Sequence, residues 1–190
     1  LLNWAASHSE PLSILGEAGL QLPGFDALAA RKPGHLAWSQ GVVRFGCNRR
    51  RLENGRWVGF VHRDDGDAPG PVDHDLPVLR VNDLKGKLVG VVANYACHCT
   101  TTSGSHNAIH GDWAGYAQTA IQADHPAAVA MTTIGCGGDV GPYPSGSVDV
   151  AQQYGRQLAQ EVNRLLQNDF KPVDPKVTVR RKTIEGPLGP

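Results

Sequence analysis

The stretch Leu88-Val89-Gly90-Val91-Val92-Ala93 runs straight into Asn94–Gln118, NYACHCTTTSGSHNAIHGDWAGYAQ. A short unbroken apolar run of this kind reads as a buried strand, and it delivers His98, between Cys97 and Cys99, to the tip of that strand. A helix is predicted to start near Asp112, with Asp112 as its N-cap. It carries Ala114, Ala117 and Ile121 at helical spacing and stops before Pro126. Ala127 to Ile134 reads as a second apolar strand. Asp149 to Gln167 reads as the best helix, with Tyr154, Leu158, Val162 and Leu165 on one stripe. Strand, helix, strand, helix from residue 87 onward predicts an α/β fold, a layered mixed sheet flanked by helices. In such folds ligands gather beyond the carboxyl ends of strands. Two loops meet that description, one beginning at His98 and one at Gly135.

Upstream, residues 1–34 are irregular, with a weakly helical stretch ending at Pro33-Gly34. His35 to Phe45, Leu76 to Val81 and Lys87 to Cys97 read as strands, the last two joined by a turn at Asp83–Gly86. Asn54-Gly55 marks a hairpin ahead of Trp57–Val61. DDGDAPGPVDHD reads as a turn-rich, acidic surface excursion. Lys176 to Ile184 alternates apolar and basic residues, as an edge strand would. With no internal repeat or linker, residues 1–190 read as a single domain. The chain opens on LLNW without a methionine or a signal peptide, so it is expected to be an incomplete piece of a longer protein.

Eighteen lysines and arginines balance eighteen aspartates and glutamates, which argues against a general electrostatic attraction to nucleic acid. No segment approaches the roughly 18–20 continuous apolar residues of a membrane span. Cys47, Cys97, Cys99 and Cys136 allow three pairings and show no zinc-ribbon spacing. Cys97 and Cys99 fit metal-proximal thiols, buried thiols or a disulfide equally.

Three roles compete for His98: metal ligand, catalytic acid or base, or a histidine that only hydrogen-bonds its neighbours. Zinc requires three or four N, S or O donors. His106 and His110 are four apart but form no HExxH or HxH pattern. His106 reads as a residue of a solvated loop, and His110 as one that orients the helix start. The loop GCGGDVGP (135–142) has glycines at 135, 137, 138 and 141, which could form a nest of backbone N–H groups or a tight turn needing positive φ. It lacks both the phosphate-loop and the GxSxG patterns. Arg49-Arg50-Arg51 offers planar donor forks for an oxygen ligand or a solvated face. Asp73, His74 and Asp75 read as ligands or as a polar entry to a strand.

LLNWAASHSEP, RFGCNRRR, PVDHDLPVLRV, NYACHCTTT with HGDWAGYAQ, and IGCGGDVGPYP occur in this order over residues 1 to about 168. Together they resemble the amino-terminal catalytic domain of the neutral/alkaline (non-lysosomal) ceramidase family, in particular its bacterial ceramidase-like branch. The resemblance implies a zinc amidohydrolase that cleaves the N-acyl bond of ceramide to sphingosine and a fatty acid. It makes His98 a zinc ligand, His8 an aid to proton transfer, Arg49 the active-site arginine, and Gly137, Gly138 and Gly141 part of the substrate-binding wall. Zinc would polarise the amide carbonyl and lower the pKa of its water to about 7. The implied partner is a small-molecule lipid or N-acyl substrate, with peripheral contact with membrane lipid and a secreted or periplasmic location.

The chain departs from the family pattern at Ala6, where the family has a zinc-ligating histidine, and at Gly141, where characterised ceramidases have serine. The family's glutamate and tyrosine ligands would fall beyond Pro190. Two rivals stand beside this reading: a hydrolase of another N-acyl or ester substrate on the same scaffold, and a metal-free binding or structural module. An apolar entrance near Trp4, Trp113 and Tyr143 favours a lipid, and a polar pocket favours another substrate. The roles require His8 and His98 to face one cleft, with Arg49 in reach and the 135–142 loop as a wall.

Overall fold

The structure is a computed structural model that describes residues 26, 28–59, 70–102, 104, 106–176 and 178–184. His8, Trp4 and Ala6 lie outside them. The chain divides into two units, Leu1–Pro33 and Gly34–Pro190. In the first, Ala30 N donates to Asp26 O at 2.9 Å, closing a helical turn.

The second unit is built on a five-stranded sheet. Its strands are β1 (Gly34–Val42), β5 (Asp75–Asp83), β6 (Leu88–Tyr95), β7 (Val129–Ile134) and the short β9 (Lys171–Pro172). Their order is β7-β6-β5-β1-β9. Only β6 and β7 run parallel, and the other pairs are antiparallel. The sheet is therefore mixed, and helix α1 (Asp112–Asp124) supplies the crossover that a parallel pair requires. Helix α2 is Val148–Leu166. Ser147 caps it, its hydroxyl accepting from Val150 N at 3.3 Å. Its Tyr154, Leu158, Val162 and Leu165 are all buried, as the stripe predicted.

Register assigns the two faces of the sheet. Ser39, Val78, Ala93 and Thr132 line one face, and the adjoining row Trp38, Leu79, Val92 and Met131 lines the other. α1 and α2 pack on each other and against the first face, over a core of Leu76, Val78, Val91, Ala93, Ile121 and Leu158. The helices come close enough that a Cβ on Gly155 would lie 2.7 Å from Ala117 N and still nearer Tyr116 Cβ. Only a glycine permits that approach. On the opposite face Leu36, Trp38, Val129 and Met131 are exposed.

Among the described residues there are also two small sheets. β3 (Arg50–Glu53) and β4 (Arg56–Gly59) form the hairpin read from Asn54-Gly55, whose φ values of 50° and 76° suit a type I′ turn. β2 (Gly46–Asn48) pairs antiparallel with β8 (Val140–Pro142).

The edge strand expected over Lys176–Ile184 does not form: residues 176 and 178–184 are irregular, with Val179 and Ile184 exposed. β9 holds the place beside β1 instead, and Pro175 stands between it and the alternating stretch, where it cannot donate to a ladder.

Candidate functional site

Because β6 and β7 run parallel in register, with Tyr95 opposite Ile134, the loops that follow them leave the same edge of the sheet. Gly135 N and Cys97 N both donate to Tyr95 O at 3.0 Å. One residue on, His98 N donates to Val140 O at 3.0 Å, and Trp113 Nε1 donates to His98 O at 2.9 Å. The backbone of His98 is thus held from both sides before its ring does anything.

The ring makes two bonds. Nδ1 lies 2.7 Å from Gly137 O. A carbonyl only accepts, so Nδ1 carries the proton and Nε2 carries the lone pair. That lone pair faces Arg49, whose Nη2 donates to it at 3.0 Å and also to Gly138 O at 3.0 Å. Arg49 is the single residue between β2 and β3, and its N donates to Asp139 O at 2.7 Å. Asn48, 6 % exposed, holds this junction: its Nδ2 donates to Asp139 Oδ2 at 3.0 Å and Pro71 O at 3.1 Å, while its Oδ1 accepts from Arg50 N at 2.9 Å. Of the arginine run, Arg49 turns inward and Arg50 is exposed. Asn48 escaped the sequence reading, although an amide at the end of a strand, next to a glycine-rich partner, was its available signal.

The glycine loop works differently from either reading. None of Gly135, Gly137, Gly138 and Gly141 has positive φ, and the Gly137 and Gly138 carbonyls rather than N–H groups point at the His98 and Arg49 side chains. Gly137 N is spent on Gly135 O at 2.8 Å. Gly137 is glycine for space, since a Cβ there would lie 2.6 Å from Cys97 N and 2.7 Å from Ala96 C. Gly141 sits opposite Cys47, and a Cβ on it would lie 3.5 Å from Arg49 Cδ, an ordinary contact.

Asp112 is not the N-cap of α1. Gly111 is, without a side-chain cap. Asp112 has φ of 52° and is 3 % exposed. Its carboxylate accepts from Thr101 N, Thr101 Oγ1, Thr102 N and Trp113 N at 2.6–3.1 Å. It therefore ties the loop after His98 to the helix. His110 Nδ1 accepts from Asp112 N at 2.7 Å, in keeping with a role in the turn. Trp113 is no entrance residue: it is wholly buried, with Tyr95 and Phe45 against its ring. Tyr143 is 42 % exposed and, with Arg44, Cys47 and His74, lines a cavity of about 400 Å³.

Cys97, Cys99 and Cys136 are thiols. Burial, then the neighbouring Cys99 and Asp112, pushes the Cys97 thiol far above the ordinary range, so on its own at neutral pH it is not a nucleophile. Among the described residues no group of three or more His, Cys, Asp or Glu is placed to hold a metal ion. The tautomer of His98 is that of a ligating imidazole, but a guanidinium stands on its lone pair. The described donors do not fit zinc.

The molecule is thus an α/β unit with an imidazole and a guanidinium paired at the carboxyl edge of its sheet. Among solved structures, the chain is similar to neutral ceramidase from Pseudomonas aeruginosa, with a TM-score of 0.61 and 20 % identity over 80 % of this chain and 26 % of that one. A ceramidase complexed with C2 matches equally, with a TM-score of 0.61 and 20 % identity over 79 % of this chain and 25 % of the other. The fold is therefore ceramidase-like, and the chain spans about a quarter of the length of either structure. No family model matches the chain, and no curated protein matches it in sequence.

Proposed function

We propose that this chain is part of a ceramidase-like hydrolase that cleaves an N-acyl amide, with ceramide or a related lipid as substrate. The observation that carries the reading is the Arg49–His98 pair, hydrogen-bonded at 3.0 Å on the Gly137–Gly138 carbonyls, in a fold shared with neutral ceramidases. In hydrolysis, water adds to the amide carbon and its proton passes to a base, while the carbonyl oxygen becomes an oxyanion and the amine leaves protonated. Arg49 is the group suited to the oxyanion. His98, with its lone pair on Nε2, is suited to the proton once the Arg49 guanidinium turns from that nitrogen to the oxyanion. His8, outside the described residues, keeps as part of this proposal the role of protonating the leaving amine. Gly137, Gly138 and Gly141 form the wall against which the acyl group lies.

Zinc and a secreted or periplasmic location follow from the resemblance and belong to the same proposal. Because the described donors do not fit zinc, no step is drawn through it. No helix among the described residues is long and apolar enough to cross a membrane; peripheral contact with membrane lipid follows from the resemblance and belongs to the same proposal. The cavity beside Tyr143, with Arg44 and His74 in its lining, favours the rival of a more polar N-acyl or ester substrate. Release of fatty acid from N-acylsphingosine tests the reading. Activity that disappears in His98→Ala and Arg49→Ala supports it. Cleavage of polar N-acyl or ester substrates alone moves the assignment to the rival, and a folded protein that cuts neither counts against the hydrolase reading.

A further inference from the structure

We propose that a cavity at the other end of the sheet binds an aliphatic carboxylate, with Arg80 gripping the carboxylate and the cavity wall taking the chain. Arg80 lies on β5 opposite Ala37 and Val91. It is two residues on from Val78 and so shares the face that the helices cover. A guanidinium on such a face ordinarily has a carboxylate to pair with. Among the described residues Arg80 has no such partner, and the ion pair found there joins Arg164 to Glu161 instead. Arg80 Nε is buried without a hydrogen-bond partner, while the guanidinium lies 4.4 Å over the ring of Phe170. A cation–π contact fixes where the group sits and leaves its in-plane N–H donors free for an anion.

Arg80 and Phe170 line a cavity of about 610 Å³, within the roughly 300–1,000 Å³ of small-molecule sites. Ala37, Pro172 and Val173 extend its apolar wall. A planar guanidinium meets a carboxylate through two parallel hydrogen bonds, and a single cation matches one negative charge better than a phosphate's two. The ligand class is therefore a monocarboxylate with an aliphatic chain. His35 and Asp174 also line the cavity, and both are exposed. Asp174 Oδ1 is engaged by Lys176 N at 2.8 Å, and solvent screens its charge. The cavity lies at the amino end of β6, where Asn82, opposite His35, pairs with Leu88. His98 follows the carboxyl end of that strand, so the hydrolase reading can fail without touching this site.

Titration of octanoate into the nitrogen-15-labelled chain, followed by NMR, tests this, with octan-1-ol as the uncharged probe and acetate as the probe without a chain. Octanoate should shift the amides of Ala37, Phe170 and Val173 saturably. It should bind roughly tenfold or more tightly than octan-1-ol, the scale of one charge-assisted hydrogen bond. Acetate should be weaker by roughly tenfold or more as well, because it buries no chain. Arg80→Gln should weaken octanoate roughly tenfold and leave octan-1-ol unchanged, whereas Arg49→Gln should leave both unchanged at these amides. If Arg80→Gln does not fold, the preference of the wild type for octanoate over octan-1-ol decides the matter. Shifts absent from this cavity or confined to the Arg49 and His98 loops would overturn the assignment. So would octan-1-ol binding as tightly as octanoate, or a folded Arg80→Gln that binds octanoate like the wild type. Fatty acid release from N-acylsphingosine is a separate readout that Arg80→Gln should leave unchanged, so the two readings fail independently.

Discussion

Adding one methyl group at Gly137 should unseat His98, while the same methyl at the next residue should do nothing. An alanine Cβ at 137 would sit 2.6 Å from Cys97 N, 2.7 Å from Ala96 C and 2.9 Å from Ala96 O. Those atoms are backbone, so no side chain can rotate away to make room. The backbone is itself pinned, by Cys97 N and Gly135 N on Tyr95 O and by His98 N on Val140 O. The loop must lift from the end of β6, and overpacking of this kind costs about 1–3 kcal/mol. Lifting it draws Gly137 O away from His98 Nδ1, which removes a further ~0.5–1.5 kcal/mol. At Gly138 nothing lies within 4 Å of the added atom, and an exposed substitution of that kind falls within about 0.5 kcal/mol of the parent. Urea unfolding of the two variants, read from midpoints at unchanged slope, should therefore separate them by about 2–4 kcal/mol. The His98 ring resonances should move only in Gly137→Ala. Equal stability of the two variants would refute the claim that this glycine exists to let the loop lie on the strand.

Asp112→Asn should cost about 2–4 kcal/mol, because an amide would turn an NH₂ toward donors that now all point at a carboxylate. Thermal melts would record the loss. Gly155→Ala should destabilise by about 1–3 kcal/mol, since the Cβ would collide with Tyr116 and Ala117 of the facing helix; a neutral result in urea would mean that the helices are not packed this closely. Glu161 is held below the usual carboxylate range, first by the hydrogen bond from Arg164 and then by that from Val42 N. A depressed folded pKa adds stability that is complete above the unfolded value, about 4.3, and fades as pH falls through the folded one. The melting temperature of Glu161→Gln should therefore fall less steeply than the parent's below about pH 4.3.

What the sequence made legible, and what it hid, divide along the distance between partners. Asn54-Gly55 announces its hairpin because positive φ is a property of those two residues. The α2 stripe announces its buried face because helical spacing is local. The order strand, helix, strand, helix was enough to single out the two loops beyond β6 and β7, and parallel pairing does bring them to one edge. It could not say which atoms meet there. His98 and Gly137 are 39 residues apart, and His98 and Arg49 are 49 apart. Their geometry depends on a third pairing, β2 with β8, that no periodicity of three-residue strands can announce. The same limit explains Asp112 and Trp113. Aspartate before a helical run is the usual sign of a cap, and an aromatic near a polar loop reads as an entrance. Here the Thr101–Thr102 backbone claims the carboxylate, and Phe45 with Tyr95 claims the indole. Both residues are spent on holding the backbone around His98, so the ring's chemistry is set by groups whose types the sequence displays but whose direction only the packed loops determine.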